Sequence, residues 1–260
     1  MIIMPVEFLF TATAPIQFAP GEAANVFRGT LGALLHANPV AQPLSPASGF
    51  QDPPKPFVLR AAALDQASLI QGQPFTLPIN FFDPNAIEAV TEALGRLATS
   101  TLRLRATLIE ARPLPVVELP LTAPTHPVTA IRVEFLTPTE LKAEGKALRR
   151  PDFPVLFNRA RDRISTLCTL YQQGAPDIDY APIGERAQAV VTTKFTLRQI
   201  EVARTSRRTG RTHSIGGFTG EADYAGDLAE FLPWLEAAQW TGVGRLTPWG
   251  NGWIRVVANP

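Results

Sequence analysis

The sequence predicts an α+β protein: two tandem ferredoxin-like (RRM-like) domains, each an antiparallel sheet with both helices on one face. Three observations carry this. Each half reads strand, helix, strand, strand, helix, strand, the order that defines that fold. A stretch with five prolines, Pro113 to Pro127, separates the halves. Apolar residues make up 45% and charged residues 18% of 260 residues, enough to bury a core in each half.

In the first half, Val6 to Thr13 is apolar and β-rich, a first strand. Gly21 to His36 places Val26, Leu31, Leu34 and Leu35 at helical spacing. Pro39 ends that helix, and a proline-rich loop runs to Pro56. Phe57 to Leu64 and Gln73 to Phe82 read as strands. Asp83-Pro84 is a helix start, with Asp as N-cap and Pro at the first helical position. Ile87, Val90, Leu94 and Leu97 continue that stripe. Leu102 to Glu110 alternates as a strand. The domains are taken as 1–120 and 129–260, with 121–128 as the linker proper.

The second half repeats the plan. Thr129 to Leu136 is a strand. Phe153 to Gln172 is a helix, capped near Asp152, with Leu156, Ile164, Leu167 and Leu170 as its stripe. Val190 to Thr205 is a long alternating strand, Arg207 to Gly210 a turn, and Ile215 to Tyr224 the return strand. Asp227 caps a helix through Phe231, Leu232, Leu235 and Trp240. Trp253 to Val257 is the last strand. The RNA-recognition module shares this element order, and the sheet face away from the helices is free to bind something.

Composition narrows the function classes. The single cysteine, Cys168, sits in an apolar helical pattern and reads as a buried thiol; it excludes an internal disulfide and a cysteine zinc site. Met1 to Phe10 has no basic start, and no run of eighteen apolar residues exists, so a soluble cytoplasmic protein is expected. Net charge is only +1. Residues 1–127 hold 7 basic and 9 acidic groups; residues 128–260 hold 17 and 14. Lys194 to His213 holds six Lys or Arg and only Glu201 as an acid, so a neutral total conceals a basic segment.

The segment from Gly242 to Gly252 places four glycines in eleven residues between a helix and the last strand. Such a loop lets backbone approach a ligand and can expose N–H groups to a phosphate. It is not a Walker loop, since no Gly-Lys-Ser/Thr follows, and it is not a dinucleotide fingerprint, since a helix precedes it.

Here the chain resembles a known family. Gly242-Val-Gly-Arg-Leu-Thr-Pro-Trp-Gly-Asn-Gly252 is similar to the C-terminal glycine-rich loop of the RAMP superfamily, the repeat-associated proteins of CRISPR systems. Phe135-Leu-Thr-Pro-Thr-Glu-Leu-Lys142 resembles the opening strand and loop of its Cas-six branch. Arg150-Pro-Asp-Phe-Pro-Val-Leu-Phe-Asn-Arg159 and Arg161-Asp-Arg-Ile-Ser165 resemble the first helix of its C-terminal domain. Ser206-Arg-Arg-Thr-Gly-Arg-Thr-His-Ser-Ile-Gly-Gly-Phe-Thr-Gly-Glu221 resembles its central hairpin, and Asp227-Leu-Ala-Glu-Phe-Leu-Pro-Trp-Leu235 leads into the loop as that family does. In the first half, Phe27-Arg-Gly-Thr-Leu-Gly-Ala-Leu-Leu-His36 resembles the family's first helix.

The resemblance implies a metal-independent endoribonuclease that cuts CRISPR repeat RNA (pre-crRNA) into guide RNAs. It implies no cofactor, no metal, no DNA and no membrane, with other CRISPR effector subunits as further partners. The alternative is a RAMP subunit of an effector complex that binds RNA without cutting it. Cleavage by the RNA's own 2′-OH needs a base, an acid and positive charge, and leaves a 5′-OH and a 2′,3′-cyclic phosphate. Imidazole suits that proton transfer. His36, at the end of the first helix, is the family's usual place for the proton-transfer histidine; His213, in the basic hairpin, is the second choice, and His126 lies in the linker. Arg28, eight residues before His36, can share its face and hold the phosphate. Arg204, Arg207, Arg208 and Arg211 form the candidate RNA groove. Lys146, Arg149 and Arg150, with Lys142, form a second basic stretch. Arg245 joins Gly242, Gly244, Gly250 and Gly252 in the loop. Tyr171, Tyr180 and Lys146 are outside candidates for acid or base, and Trp249 and Trp253 for base stacking.

Overall fold

The computed structural model describes residues 1–36, 53–100, 104–201, 203–205, 212–214 and 216–259, the side chains at 203–205 and 212–214 excepted. In chain order the first half comprises β1 (Ile2–Ala12), β2 (Ile16–Gln17), α1 (Ala23–His36), β3 (Phe57–Leu59), β4 (Ser68–Leu69), β5 (Pro74–Phe81), α2 (Pro84–Gly95), β6 (Ala106–Pro113) and β7 (Val117–Glu118). The second comprises β8 (Ala130–Thr139), β9 (Lys142–Ala143), β10 (Lys146–Ala147), α3 (Phe153–Tyr171), α4 (Tyr180–Arg186), β11 (Val191–Ile200), β12 (Ala203–Thr205), β13 (Thr212–Ser214), β14 (Gly217–Ala225), α5 (Leu232–Thr241) and β15 (Ile254–Ala258).

The two main sheets are ordered β3-β5-β1-β6 and β11-β14-β8-β15, with neighbouring strands antiparallel throughout. Counting only the four main strands of each half, both orders are second, third, first, fourth. This is the ferredoxin-like arrangement, made twice. Alternation explains which face is buried: Val6, Phe8, Phe10 and Ala12 of β1 point to α1 and α2, and Ile131, Val133 and Phe135 of β8 point to α3 and α5. Aromatic side chains dominate both cores. Phe157 meets Phe231 edge-on at 4.7 Å, and Phe10 stacks on Phe75 at 5.2 Å.

The element boundaries depart from the sequence expectations at several places. The strand expected to Leu64 stops at Leu59, and Ala62–Leu64 is a turn of 3-10 helix. Asp83 does cap α2, its Oδ1 accepting from the Asn85 amide at 3.0 Å. Asp152 makes no such cap; its carboxylate pairs with Arg150 at 3.0 Å. Asp227 is not a cap either, because α5 begins only at Leu232. The long strand expected over 190–205 divides into β11 and β12. The proline-rich connection is not free of structure: β7 pairs with the start of β1. The strand expected from Leu102 begins at Ala106, with 101–103 outside the described residues, as is the loop expected from Pro39 onward up to residue 52.

The halves are joined by a third apolar cluster. Ile3, Val58 and Phe82 of the first half close on Leu167 of α3, with Tyr171 and Trp240 alongside. Polar contacts lock this junction: the Gln172 side chain accepts from the Ile2 amide at 3.1 Å and donates to the Ile2 carbonyl at 2.6 Å. The Tyr171 hydroxyl donates to the Pro54 carbonyl at 2.7 Å. Cys168 is buried nearby, as expected, and burial pushes its thiol up.

Candidate RNA interface

The glycine-rich loop joins α5 to β15, and its glycines meet protein before they could meet a ligand. At Gly252 (φ 69°) a Cβ would fall 1.9 Å from the Val243 carbonyl oxygen; at Gly244 (φ 84°) it would fall 2.4 Å from that of Glu140. No side chain fits either position. The loop's amides are largely committed as well. Val243 donates to Gly252, Arg245 to Glu140, Trp249 to Leu246, Gly250 to Thr247 and Gly252 to Pro138. The Thr137 hydroxyl donates to the Gly250 carbonyl at 2.8 Å and accepts from the Trp253 amide at 2.9 Å. The expectation of a cradle of open N–H groups therefore changes for these five amides. The glycines permit a compact knot, and what it offers outward is side chains.

Arg245 is the foremost of these. It is half exposed, and its Nη1 lies 3.1 Å from both oxygens of the more deeply set Glu140. Lys142 Nζ reaches the same carboxylate at 3.4 Å. Arg159, which the sequence reading did not single out, donates from Nε and Nη2 to the Lys142 carbonyl and holds the β9 strand in place. Glu140, Lys142, Arg159, Gly244 and Arg245 line one cavity of about 260 Å3. Three cations against one carboxylate leave a net positive hollow beside the loop, suited to a phosphate.

On its other side the loop grips α1. The Arg28 guanidinium carbon lies 5.4 Å from the centre of the Trp249 ring, and Trp249 packs edge-on against Phe57 at 5.9 Å. Trp249 is thus a packing residue that also stacks on an arginine. Gly21, Ala24 and Asn25 at the start of α1 face Gly250 and Asn251 across a cavity of about 170 Å3. The N-terminus of α1 is held by Asp65, which accepts from the Gly21 amide at 2.8 Å. His36 is the last residue of the same helix and is exposed, about 12 Å along the axis from Arg28. The helix that carries His36 is therefore fastened to the glycine-rich loop near its middle.

The remaining candidates divide. Lys146 and Arg149 are exposed around β10; Arg150 pairs with Asp152 and covers Phe195 at 5.7 Å. The β12–β13 ribbon forms, with Arg204 opposite His213, so the expected hairpin exists at the backbone level. Arg207, Arg208 and Arg211 lie outside the described residues. Tyr180 packs beneath Arg161, and Tyr171 is spent on the domain junction, its hydroxyl pushed up to about 12 by burial. His126 lies in the connection between the halves. Among the described residues no cluster of His, Cys, Asp or Glu is arranged to hold a metal ion, and no helix is long and apolar enough to cross a membrane.

The open face of the second sheet is occupied by paired charges. Arg132 Nε donates to Asp223 at 2.7 Å and Nη2 at 2.9 Å; Glu221 stands 3.8 Å from the same guanidinium, and Arg255 pairs with Glu134. The hydrogen bond from Arg132 holds the Asp223 carboxyl below the usual range, and Asp223 in turn raises Arg132. With Lys194 opposite Asp223 and Arg198 opposite Thr219 on β11, that face carries four basic groups against three acids. The larger surplus of basic groups lies beside the glycine-rich loop, where three cations meet one carboxylate.

Residues 133–254 match the model of the family described as CRISPR-associated endoribonuclease Cas6. Among curated proteins none matches the chain by sequence. Solved structures agree on the fold. Thermus thermophilus Cas6 superposes with a TM-score of 0.62 at 20% identity, over 98% of each chain. A Cas6 product complex gives 0.64 at 21% identity, over 98% of this chain and 100% of the other. A RAMP protein binding different RNA substrates gives 0.54 at 15%, over 98% and 99%. The second half thus fits the model of the Cas6 family of CRISPR-associated endoribonucleases, and the whole chain shares the fold of solved Cas6 structures.

Proposed function

We propose that the protein cleaves CRISPR repeat RNA without a metal ion, using the RNA's own 2′-OH as the nucleophile. The observation that carries this reading is the fastening of α1, which bears the exposed His36, to the basic glycine-rich loop through Arg28 and Trp249. The O2′–P bond forms as the P–O5′ bond breaks. The 2′-OH proton passes to a base and a proton is delivered to the departing O5′, leaving a 2′,3′-cyclic phosphate and a 5′-OH. His36 moves one of these protons. Arg28 supplies positive charge toward the phosphorane. Arg245, Lys142 and Arg159 hold the backbone on the far side of the loop. The β12–β13 ribbon, with His213, and the Lys146–Arg150 stretch extend the contact with the repeat.

The sequence-level match to an endoribonuclease family supports this reading, as does a neighbour of the same fold that is a product complex. The test is direct. Repeat RNA incubated with the wild-type chain in EDTA is expected to yield products with 5′-OH and cyclic phosphate ends. His36→Ala is expected to bind the same RNA and leave it whole. Full cleavage by His36→Ala would remove His36 from the mechanism, and binding without cleavage by the wild type would make the chain a non-catalytic RNA-binding subunit.

A further inference from the structure

Arg60 is buried and Arg163 half-buried, neither has a carboxylate paired to it among the described residues, and both point at one place. Arg60 follows β3 in the first half and is 7% exposed. Its Nη2 donates to the Gln239 carbonyl at 2.5 Å and the Trp240 carbonyl at 2.7 Å. Asn80 of β5 donates to the same Trp240 carbonyl at 3.1 Å. Arg163, on α3, donates from Nε to the next carbonyl, Thr241, at 2.8 Å. These are the last carbonyls of α5, which lack partners within the helix and carry its partial negative charge. Gly242, with φ 72°, turns the chain into the glycine-rich loop immediately afterwards.

Arg60 also reaches the other end of that loop. The Trp253 ring, one residue past Gly252, lies over its guanidinium at 5.0 Å. A single side chain from the first domain thus holds residue 240 before the loop and residue 253 after it. The arrangement is costly. Arg60 Nη1 and Arg163 Nη2 are buried without a hydrogen-bond partner, and burial pushes both guanidiniums down to about 9, that of Arg60 further through repulsion from Arg163. Taking a charge out of water with no carboxylate to offset it carries the desolvation penalty of one buried ion. A buried charge kept at this cost calls for a role other than stability.

We infer that Arg60 is a positioning residue, assisted by Arg163, that staples both ends of the glycine-rich loop and so fixes the loop for RNA. The functional part rests on the reading of that loop as an RNA contact. Arg60 touches neither His36 nor Arg28, so its loss alters where the loop sits and leaves the proton-transfer histidine in place.

The experiment compares the full-length wild type with Arg60→Met and Arg60→Lys. Amide hydrogen exchange is followed over the loop and over β1 and β5, and repeat RNA affinity and single-turnover cleavage at saturating RNA are measured. Arg60→Met is expected to speed exchange of the Val243 and Gly252 amides at least tenfold while β1 and β5 are unchanged. RNA affinity should fall about tenfold, with the saturating rate within twofold. Arg60→Lys, which keeps one donor for the carbonyls, should recover to within threefold of wild type. Unchanged loop exchange would overturn the staple, and so would exchange rising equally everywhere. Arg163→Met read by the same exchange measurement serves if Arg60→Met fails to fold. Faster loop exchange in a protein whose wild type does not bind repeat RNA would uphold the staple and reject the RNA reading.

Discussion

Arg28 of α1 lies over the indole of Trp249, 5.4 Å from the ring centre, and this contact joins the helix that ends in His36 to the loop that gathers the basic side chains. The two come from opposite ends of the chain. The proposed site needs this contact, since it links the helix carrying a histidine on one domain to the loop beside a basic hollow on the other. Arg28→Ala is expected to lower cleavage more than it lowers the folding midpoint, because it removes both a charge and the tie between α1 and the loop. Arg28→Lys keeps the charge and loses the flat stack, and should fall between the two. Cleavage rates beside thermal melts of the three proteins check this.

The hollow beside the loop makes a separate prediction. If Arg245 contacts one RNA phosphate, Arg245→Ala weakens binding across RNA sequences. It should also reduce the slope of log affinity against log salt by about 0.7 for a single-stranded contact. Filter binding or fluorescence anisotropy over a salt series reads it. An unchanged slope would leave Arg245 to its ion pair with Glu140.

Glycines in the same molecule should respond in opposite directions. Gly252→Ala puts a Cβ against the Val243 carbonyl at 1.9 Å in a left-handed conformation, and is expected to cost well over about 1 kcal/mol. Gly32 sits inside α1 with nothing within 4 Å of where its Cβ would be. Gly32→Ala should stabilise by about 0.5–1 kcal/mol through helix propensity alone. Chemical denaturation of the two variants measures both.

The paired charges on the open face of the second sheet predict a pH effect with a definite sign. Arg132 holds the Asp223 carboxyl below its ordinary value. The stability this contributes is fully present above the unfolded carboxyl's value, about 3.9, and is lost as pH falls through the lower folded value. Asp223→Asn should therefore melt lower than wild type near neutral pH. The difference between the two should shrink as the medium is acidified below about pH 4. Melting curves from pH 7 to pH 2 test it.

Much of this fold is legible in the residues. Period-two alternation in 6–12 and 131–135 and the helical stripe through Leu156, Ile164 and Leu167 are local signals, and they are where the strands and α3 lie. The errors come from side chains with two possible partners. Asp152 and Asp227 stand where a cap would stand, yet Asp152 pairs with Arg150, and the chain after Asp227 is held by the Leu228 amide donating to Val128. The short α4 escapes because Pro182 and Gly184 lie inside it. In the site, the glycine-rich loop is visible as a pattern, while its use of glycine for contact with its own backbone is not. Arg60 gives no local signal at all: a lone arginine after a short strand reads as solvated, and its partners lie 179 and 180 residues away.

The central claim is that an imidazole on α1 and the basic glycine-rich loop act together on one phosphodiester. End mapping of CRISPR repeat RNA after incubation in EDTA tests it most directly, with wild type and His36→Ala side by side. The account predicts a 2′,3′-cyclic phosphate and a 5′-OH at one position from the wild type. It predicts at least a hundredfold slower cleavage from His36→Ala, with RNA affinity within about threefold. Equal cleavage by both proteins, or cleavage that vanishes when EDTA is added, would contradict it.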